Sequence, residues 1–246
     1  EVQLNIDTVN LTQGFDAVCV FVNDHVGSNV IEQLKKNGIK AIALRCAGFN
    51  NVDLQAAKNA NIVVVRVPAY SPEAVAEHAM ALILTLNRKT HKAYNRIREN
   101  NFSLERLTGF NLYQKTVGVV GTGLIGSAFC RILKGFGCHI IAYDLIENPE
   151  MKTLGVQYVS MDDLLAQSDI ISLHCPLSPA TQHLIDAKSF AKMKDGVMLI
   201  NTSRGALINT KDAISALKRK KIGYLGIDVY EQEENLFYKD LSEYII

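Results

Sequence analysis

The chain has 246 residues, a formal net charge of +1, 48% hydrophobic and 21% charged residues. That length suits one large domain or two small ones, and that composition can bury an ordinary core. A near-zero charge excludes a global electrostatic pull towards nucleic acid or an anionic membrane surface.

Short β-branched runs alternate with amphipathic stretches along the chain. The first strands are expected at 17–22 (AVCVFV), 40–46 (KAIALRC) and 62–67 (IVVVRV). The helical patterns NVIEQLKKNG and DLQAAKNAN lie between them. A long helix is then expected over 71–100, where Ser71 can cap the first turn and Pro72 fits the first helical position. About 28 helical residues would span about 42 Å, enough to cross between domains or to form a subunit contact. The domain boundary is therefore placed between residues 69 and 70. Six further strands follow, at 116–121, 139–144, 156–160, 170–175, 197–202 and 223–230. The helical patterns LIGSAFCRILKGFG, DDLLAQS, KSFAKM and KDAISALKRKK are interleaved with them. Continuous apolar strands alternating with helices predict an α/β fold with a doubly wound parallel sheet.

The opening EVQLNID has no basic region followed by an apolar one, so no signal peptide is expected. The stretch AVAEHAMALILTL is broken by Glu77 and His78 and is too short to span a bilayer. Cys19, Cys46, Cys130, Cys138 and Cys175 are dispersed, with no CxxC pair. They read as reduced, mostly buried thiols of a cytoplasmic protein, with no metal site.

The sharpest motif is VGVVGTGLIG. Gly121, Gly123 and Gly126 form G-x-G-x-x-G directly after an apolar strand and at the start of a helix. Such a turn lets the backbone approach a pyrophosphate, which the helix N-terminus attracts. Asp144 ends the next strand, 18 residues beyond Gly126. A carboxylate there accepts hydrogen bonds from the adenosine ribose and repels a 2′-phosphate, and Leu145 rather than Arg follows it. The cofactor expected is NAD rather than NADP.

NTSRGALI puts Thr202, Ser203 and Arg204 at the carboxyl end of a strand, where open α/β sheets bind ligands. The Arg204 guanidinium there can grip a carboxylate at two points, or form a structural ion pair. GIDVYEQEE brings Asp228, Glu231, Glu233 and Glu234 to the same edge. Spacing alone does not single out Glu233. Glu231 and Glu234 read as a solvated strand exit. Among the six histidines, His183 reads as a surface residue, His78 as packed within the long helix, and His174 as lining the cleft.

RCAGFNNVD, RVPAYSPEAVAEHA, VGVVGTGLIG, SLHCPLSPAT, NTSRGALI and GIDVYEQE together resemble the D-isomer-specific 2-hydroxyacid dehydrogenases, most closely their bacterial NAD-dependent D-lactate dehydrogenase branch. The resemblance runs over essentially the whole chain. It implies a Rossmann cofactor domain at 70–246 and a partial, flavodoxin-like substrate domain at 1–69. It implies that Arg204 holds the substrate and that Glu233, five residues after Asp228, is the catalytic glutamate. Cofactor contacts are implied at Leu124, Ile125, Cys175, Pro176, Thr181, Thr202 and Ser203, with Asp228 at the nicotinamide amide. The substrate carboxylate is implied to lie near Ala47, Gly48 and Tyr70. The implied reaction reduces pyruvate to D-lactate in a homodimer or higher homo-oligomer, with no nucleic-acid or membrane partner. The family's proton-donor histidine falls beyond Ile246 and its opening strand and helix fall before Glu1. The sequence is therefore expected to be the middle of a longer dehydrogenase, inactive without that donor. Alternatives are a non-catalytic NADH-binding module resembling a corepressor, or a dehydrogenase for bulkier D-2-hydroxy acids.

Overall fold

The structure, a computed structural model, describes residues 2–68 and 71–231. The chain divides into two compact units, Glu1–Tyr70 and Ser71–Ile246.

The first unit carries a three-stranded parallel sheet of β1 (Ala17–Val20), β2 (Ala41–Leu44) and β3 (Val63–Arg66), in that order. Helices α1 (Ser28–Lys36) and α2 (Leu54–Asn59) connect the strands. Val30, Ile31 and Leu34 of α1 turn inward against Val20, Ile42 and Leu44. That is the helical spacing of one apolar stripe meeting the buried residues of two strands. Asp53 starts α2 by accepting from the Ala56 N–H at 2.9 Å.

The second unit opens with α3 (Pro72–Arg88) and α4 (Thr90–Arg98). Ser71 caps α3 through Ala74 N–H at 3.2 Å, and Pro72 occupies its first turn. The single helix expected over 71–100 is thus two helices. The break is at Lys89, which adopts the left-handed conformation with φ of 52°. The chain at 106–110 folds back onto this point. Asn87, buried inside α3, exchanges two hydrogen bonds with the Phe110 backbone, at 2.8 and 2.7 Å. Lys89 Nζ donates to the carbonyls of Arg106 and Thr108. These contacts offset the cost of a left-handed lysine.

The six-stranded sheet of this unit is wholly parallel. It comprises β4 (Thr116–Val120), β5 (His139–Tyr143), β6 (Gln157–Tyr158), β7 (Ile170–Leu173), β8 (Val197–Asn201) and β9 (Ile222–Ile227), in the order β6-β5-β4-β7-β8-β9. Its connecting helices are α5 (Leu124–Gly135), α6 (Pro149–Leu154), α7 (Met161–Gln167), α8 (Ala187–Lys192) and α9 (Thr210–Lys218). α3, α5 and α6 cover one face, around Ile83, Phe129, Leu133 and Met151. α7, α8 and α9 cover the other, around Leu164, Phe190 and Ala216. Burial on both faces explains why these strands read as unbroken apolar runs. α6 was not expected from the sequence, although Asn148 caps it, Pro149 opens it and Gly155 ends it with φ of 96°. The strand order reverses between β4 and β7, so their carboxyl ends open the crevice in which such sheets bind ligands. Among the described residues no helix is long and apolar enough to cross a membrane.

Candidate cofactor and substrate site

β4 runs directly into the glycine turn. Gly121 has φ of 93°, and a Cβ on it would lie 2.8 Å from the Cys175 nitrogen. A Cβ on Gly126 would lie 1.9 Å from the Gly121 carbonyl oxygen, so α5 could not pack over the turn. Gly123 differs, because a Cβ there would meet nothing within 4 Å. The protein itself makes no steric demand for glycine at 123, whereas a phosphate group approaching the backbone would. Gly123 is the N-cap of α5 and makes no side-chain cap bond, leaving the first-turn N–H groups available to an anion. Leu124 is exposed and Ile125 half-buried beside it.

Asp144 stands just beyond β5. Its Oδ2 accepts from the Thr122 N–H at 2.6 Å and the Thr122 hydroxyl at 3.0 Å. Its Oδ1 receives the Ile146 N–H, at 3.4 Å. Burial pushes the Asp144 carboxyl up, but the hydrogen bonds from Thr122, Ile146 and Leu145 outweigh it and hold the group below the usual carboxylate range. Asp144 is therefore an anion with one well-held oxygen and one oxygen left to accept.

β7 delivers His174, Cys175 and Pro176 to the other side of the crevice. The His174 ring packs on Phe129 with centroids 4.8 Å apart, and its Nε2 lies 2.9 Å from Ser172 Oγ. Its Nδ1 is buried without a hydrogen-bond partner. Burial holds this imidazole at about 4, hence neutral at physiological pH. Burial likewise pushes the Cys175 thiol up to about 11, aided by the Asp144 charge. Neither residue is suited to acid–base work near neutrality. Thr181 holds the turn after Pro176: its hydroxyl donates to the Pro176 carbonyl at 2.7 Å and accepts from Ser178 N–H at 2.7 Å.

The turn after β8 is built by a residue that sequence reasoning passed over. Asn201, buried at the strand end, accepts from Ser203 N–H at 3.0 Å and donates to the Arg204 carbonyl at 2.9 Å. Ser203 in turn donates its hydroxyl to the Leu173 carbonyl. Thr202 Oγ1 is buried with no hydrogen-bond partner. A buried hydroxyl left unsatisfied costs stability unless a ligand pairs with it. Arg204 is exposed, donates to the Ser203 carbonyl at 2.8 Å, and has no ion-pair partner among the described residues. The structural ion pair entertained for it is thus not formed there. A Cβ on Gly205 would lie 2.0 Å from the Tyr230 carbonyl, so glycine lets this turn close onto the exit of β9.

At that exit Asp228 pairs with His78 of α3, Oδ1 to Nε2 at 3.2 Å. His78 is exposed, not packed among apolar neighbours, because its position in α3 faces this strand end. Glu231 is not a solvated exit residue either. Its carboxylate meets His183 Nε2 at 2.5 Å and the Thr210 N–H at 3.0 Å. His183 is correspondingly half-buried, because this pairing tucks its ring against the loop. Among the described residues no cluster of His, Cys, Asp and Glu could hold a metal ion.

Glu233, Glu234 and Tyr70 lie outside the described residues. Ala47 and Gly48 follow β2 in the first unit. Their loop is tied by Arg66, which donates to the Ala47 carbonyl at 2.8 Å, and by the Cys46 thiol, 3.2 Å from the Gly48 carbonyl.

A glycine turn, an ionised acid after the second strand and an arginine at the carboxyl edge point to one family. Residues 80–243 match the NAD binding domain of the D-isomer specific 2-hydroxyacid dehydrogenases. The chain belongs to that family. It is 59% identical over 243 residues to a 2-hydroxyacid dehydrogenase homolog of Haemophilus influenzae, covering 99% of this chain and 73% of that protein. It is 57% identical to the D-lactate dehydrogenase of Escherichia coli, covering 97% and 73%. The apo structure of the Escherichia coli enzyme superposes with a TM-score of 0.86, over 94% of this chain and 74% of that one. An Aquifex aeolicus D-lactate dehydrogenase complexed with NAD and lactic acid superposes with a TM-score of 0.87 at 38% identity, over 97% and 71%. The chain is an NAD-dependent 2-hydroxyacid dehydrogenase by family, with a Rossmann cofactor domain. The open backbone at Gly123, the acceptor on Asp144 and the unpaired Thr202 hydroxyl fit that cofactor.

Proposed function

We propose that this protein reduces pyruvate to D-lactate; the second unit holds the cofactor, and Ala47, Gly48 and Tyr70 are the substrate-carboxylate residues that the resemblance implies. The observation that carries the reading is Arg204. It is a guanidinium without an ion pair among the described residues, on the same sheet edge as the glycine turn and Asp144. The similarity to D-lactate dehydrogenases supports the choice of substrate.

Bound NADH supplies the hydride for the carbonyl carbon of the 2-oxo acid. Arg204 grips the substrate carboxylate and stabilises the charge that develops on the carbonyl oxygen. Asn201 keeps the Arg204 backbone in place. Thr202, with its unpaired hydroxyl, and Ser203 line the cofactor side, as do Leu124, Ile125, Cys175 and Pro176. Asp228, braced by His78, receives the nicotinamide amide. By the resemblance, Glu233 orients the family's proton-donor histidine, whose position falls beyond Ile246.

None of the five cysteines is joined in a disulfide, which supports a reducing, cytoplasmic compartment. The exposed Tyr94 and Ile97 of α4 support a homodimer contact there. A monomer at micromolar concentration in sedimentation would remove that contact.

Replacing Arg204 tests the reading. In an enzyme that carries the proton-donor histidine, Arg204→Ala is expected to lower kcat/KM for pyruvate by about 3 kcal/mol of transition-state stabilisation or more. Arg204→Lys, which loses the two-point grip, should recover a small part of it. Unchanged kcat/KM in Arg204→Ala would take the residue out of the site.

A further inference from the structure

The Asp144 carboxylate stands at the end of a directed chain of hydrogen bonds. The Asn148 backbone N–H donates to the Tyr158 hydroxyl at 2.9 Å. Tyr158 donates to the Thr122 hydroxyl at 2.8 Å. With its oxygen thus supplied, Thr122 can spend its single hydroxyl proton on Asp144 Oδ2, 3.0 Å away. A second branch closes the ring. The Asn148 side-chain amide donates to Ser127 Oγ at 3.1 Å, and Ser127 donates to the Thr122 carbonyl at 2.8 Å. Asn148 is itself fixed as the cap of α6, accepting from Glu150 N–H at 3.0 Å. Thr122 is 3% exposed, so water does not compete for these bonds.

The consequence is orientation. Oδ2 is held twice by Thr122, through backbone and hydroxyl, while Oδ1 takes the long contact from Ile146 and Leu145 adds a weak backbone bond to the carboxylate, neither from a side chain that could fix it. We propose that Thr122, Tyr158 and Asn148 are positioning residues that fix Asp144 with Oδ1 turned to the adenosine ribose, and that this fixation sets the preference for NADH over NADPH. A carboxylate free to rotate could swing aside and let a 2′-phosphate in. One held on a buried hydroxyl cannot, and meets that phosphate with its full charge. The proposal rests on Asp144 being the ribose ligand.

The test is fluorescence titration of the protein with NADH and with NADPH, for the wild type, Thr122→Val, Thr122→Ser, Tyr158→Phe and Asp144→Ala. Thr122→Val keeps the shape and the backbone N–H but removes the hydroxyl. It should reduce the NADH-to-NADPH affinity ratio by about tenfold, the scale of one hydrogen bond to a charged group. Tyr158→Phe, two bonds away, should reduce it by about threefold. Thr122→Ser, which restores the hydroxyl, should keep the wild-type ratio. Asp144→Ala should abolish the preference. A preference lost in Asp144→Ala but intact in Thr122→Val and Tyr158→Phe would overturn the relay and leave the ribose reading standing. A preference that survives Asp144→Ala would overturn both.

Discussion

Glu231 uses its two carboxylate oxygens on two different partners: Oε1 lies 2.5 Å from His183 Nε2, and Oε2 accepts the Thr210 N–H at 3.0 Å. The first ties β9's exit to the loop beyond Pro176, and the second caps the start of α9. Burial raises the Glu231 carboxyl, but Thr210 and His183 outweigh it and keep the group below its usual range. Glu231→Ala should therefore destabilise the protein by about 1–2 kcal/mol, measured as a shift in urea midpoint. An unchanged midpoint would make the residue the solvated exit that its sequence suggests. The effect should fade in acid, since a carboxyl with a depressed folded value stabilises above its unfolded value and stops doing so as pH falls through the folded one.

His174 gives the opposite kind of group, a base held neutral. Its ring is held at about 4 in the folded chain against an ordinary value of 6.5. The unfolded chain takes up a proton first as pH falls, so stability drops between those two values and is level below them. The contribution is at most about 3 kcal/mol. His174→Gln should flatten the dependence of the urea midpoint on pH across that window. An identical slope in the variant would place the acid sensitivity elsewhere.

Asn87 carries the backbone of the segment that returns onto α3. Asn87→Ala would leave both polar groups of Phe110 without their partner and should cost about 2 kcal/mol of stability. Differential scanning calorimetry checks this. A melting temperature equal to the wild type would mean that the Lys89 contacts suffice to hold the break between α3 and α4.

The strands and the glycine turn were legible because their signals are local. Unbroken apolar runs mark strands buried on both faces, and Gly121 and Gly126 answer to steric demands within a few residues of themselves. The misreadings all depended on partners remote in sequence. Lys89 looks like any helical lysine until the chain at 106–110 supplies acceptors for its amino group. Glu231 reads as solvated until His183, 48 residues away, is placed against it. His78 sits in an apolar run, and only the packing of α3 on β9 turns it to Asp228. The α6 helix was the one local signal overlooked, since Asn-Pro before it and glycine after it are visible in the sequence. At the candidate site, position alone put Asp144 and Arg204 at the sheet edge, while the role of Arg204 came from the resemblance. The residues that hold them, Thr122, Tyr158 and Asn201, were not legible, because hydrogen-bond direction is a property of the folded neighbourhood.

The most direct test is NADH oxidation by an enzyme that carries the proton-donor histidine, with pyruvate and, in parallel, with a bulkier branched 2-oxo acid, each product resolved into its enantiomers. A higher kcat/KM for pyruvate is expected, with D-lactate as the sole enantiomer. Turnover of the branched acid with none of pyruvate, or formation of L-lactate, would contradict the proposed function.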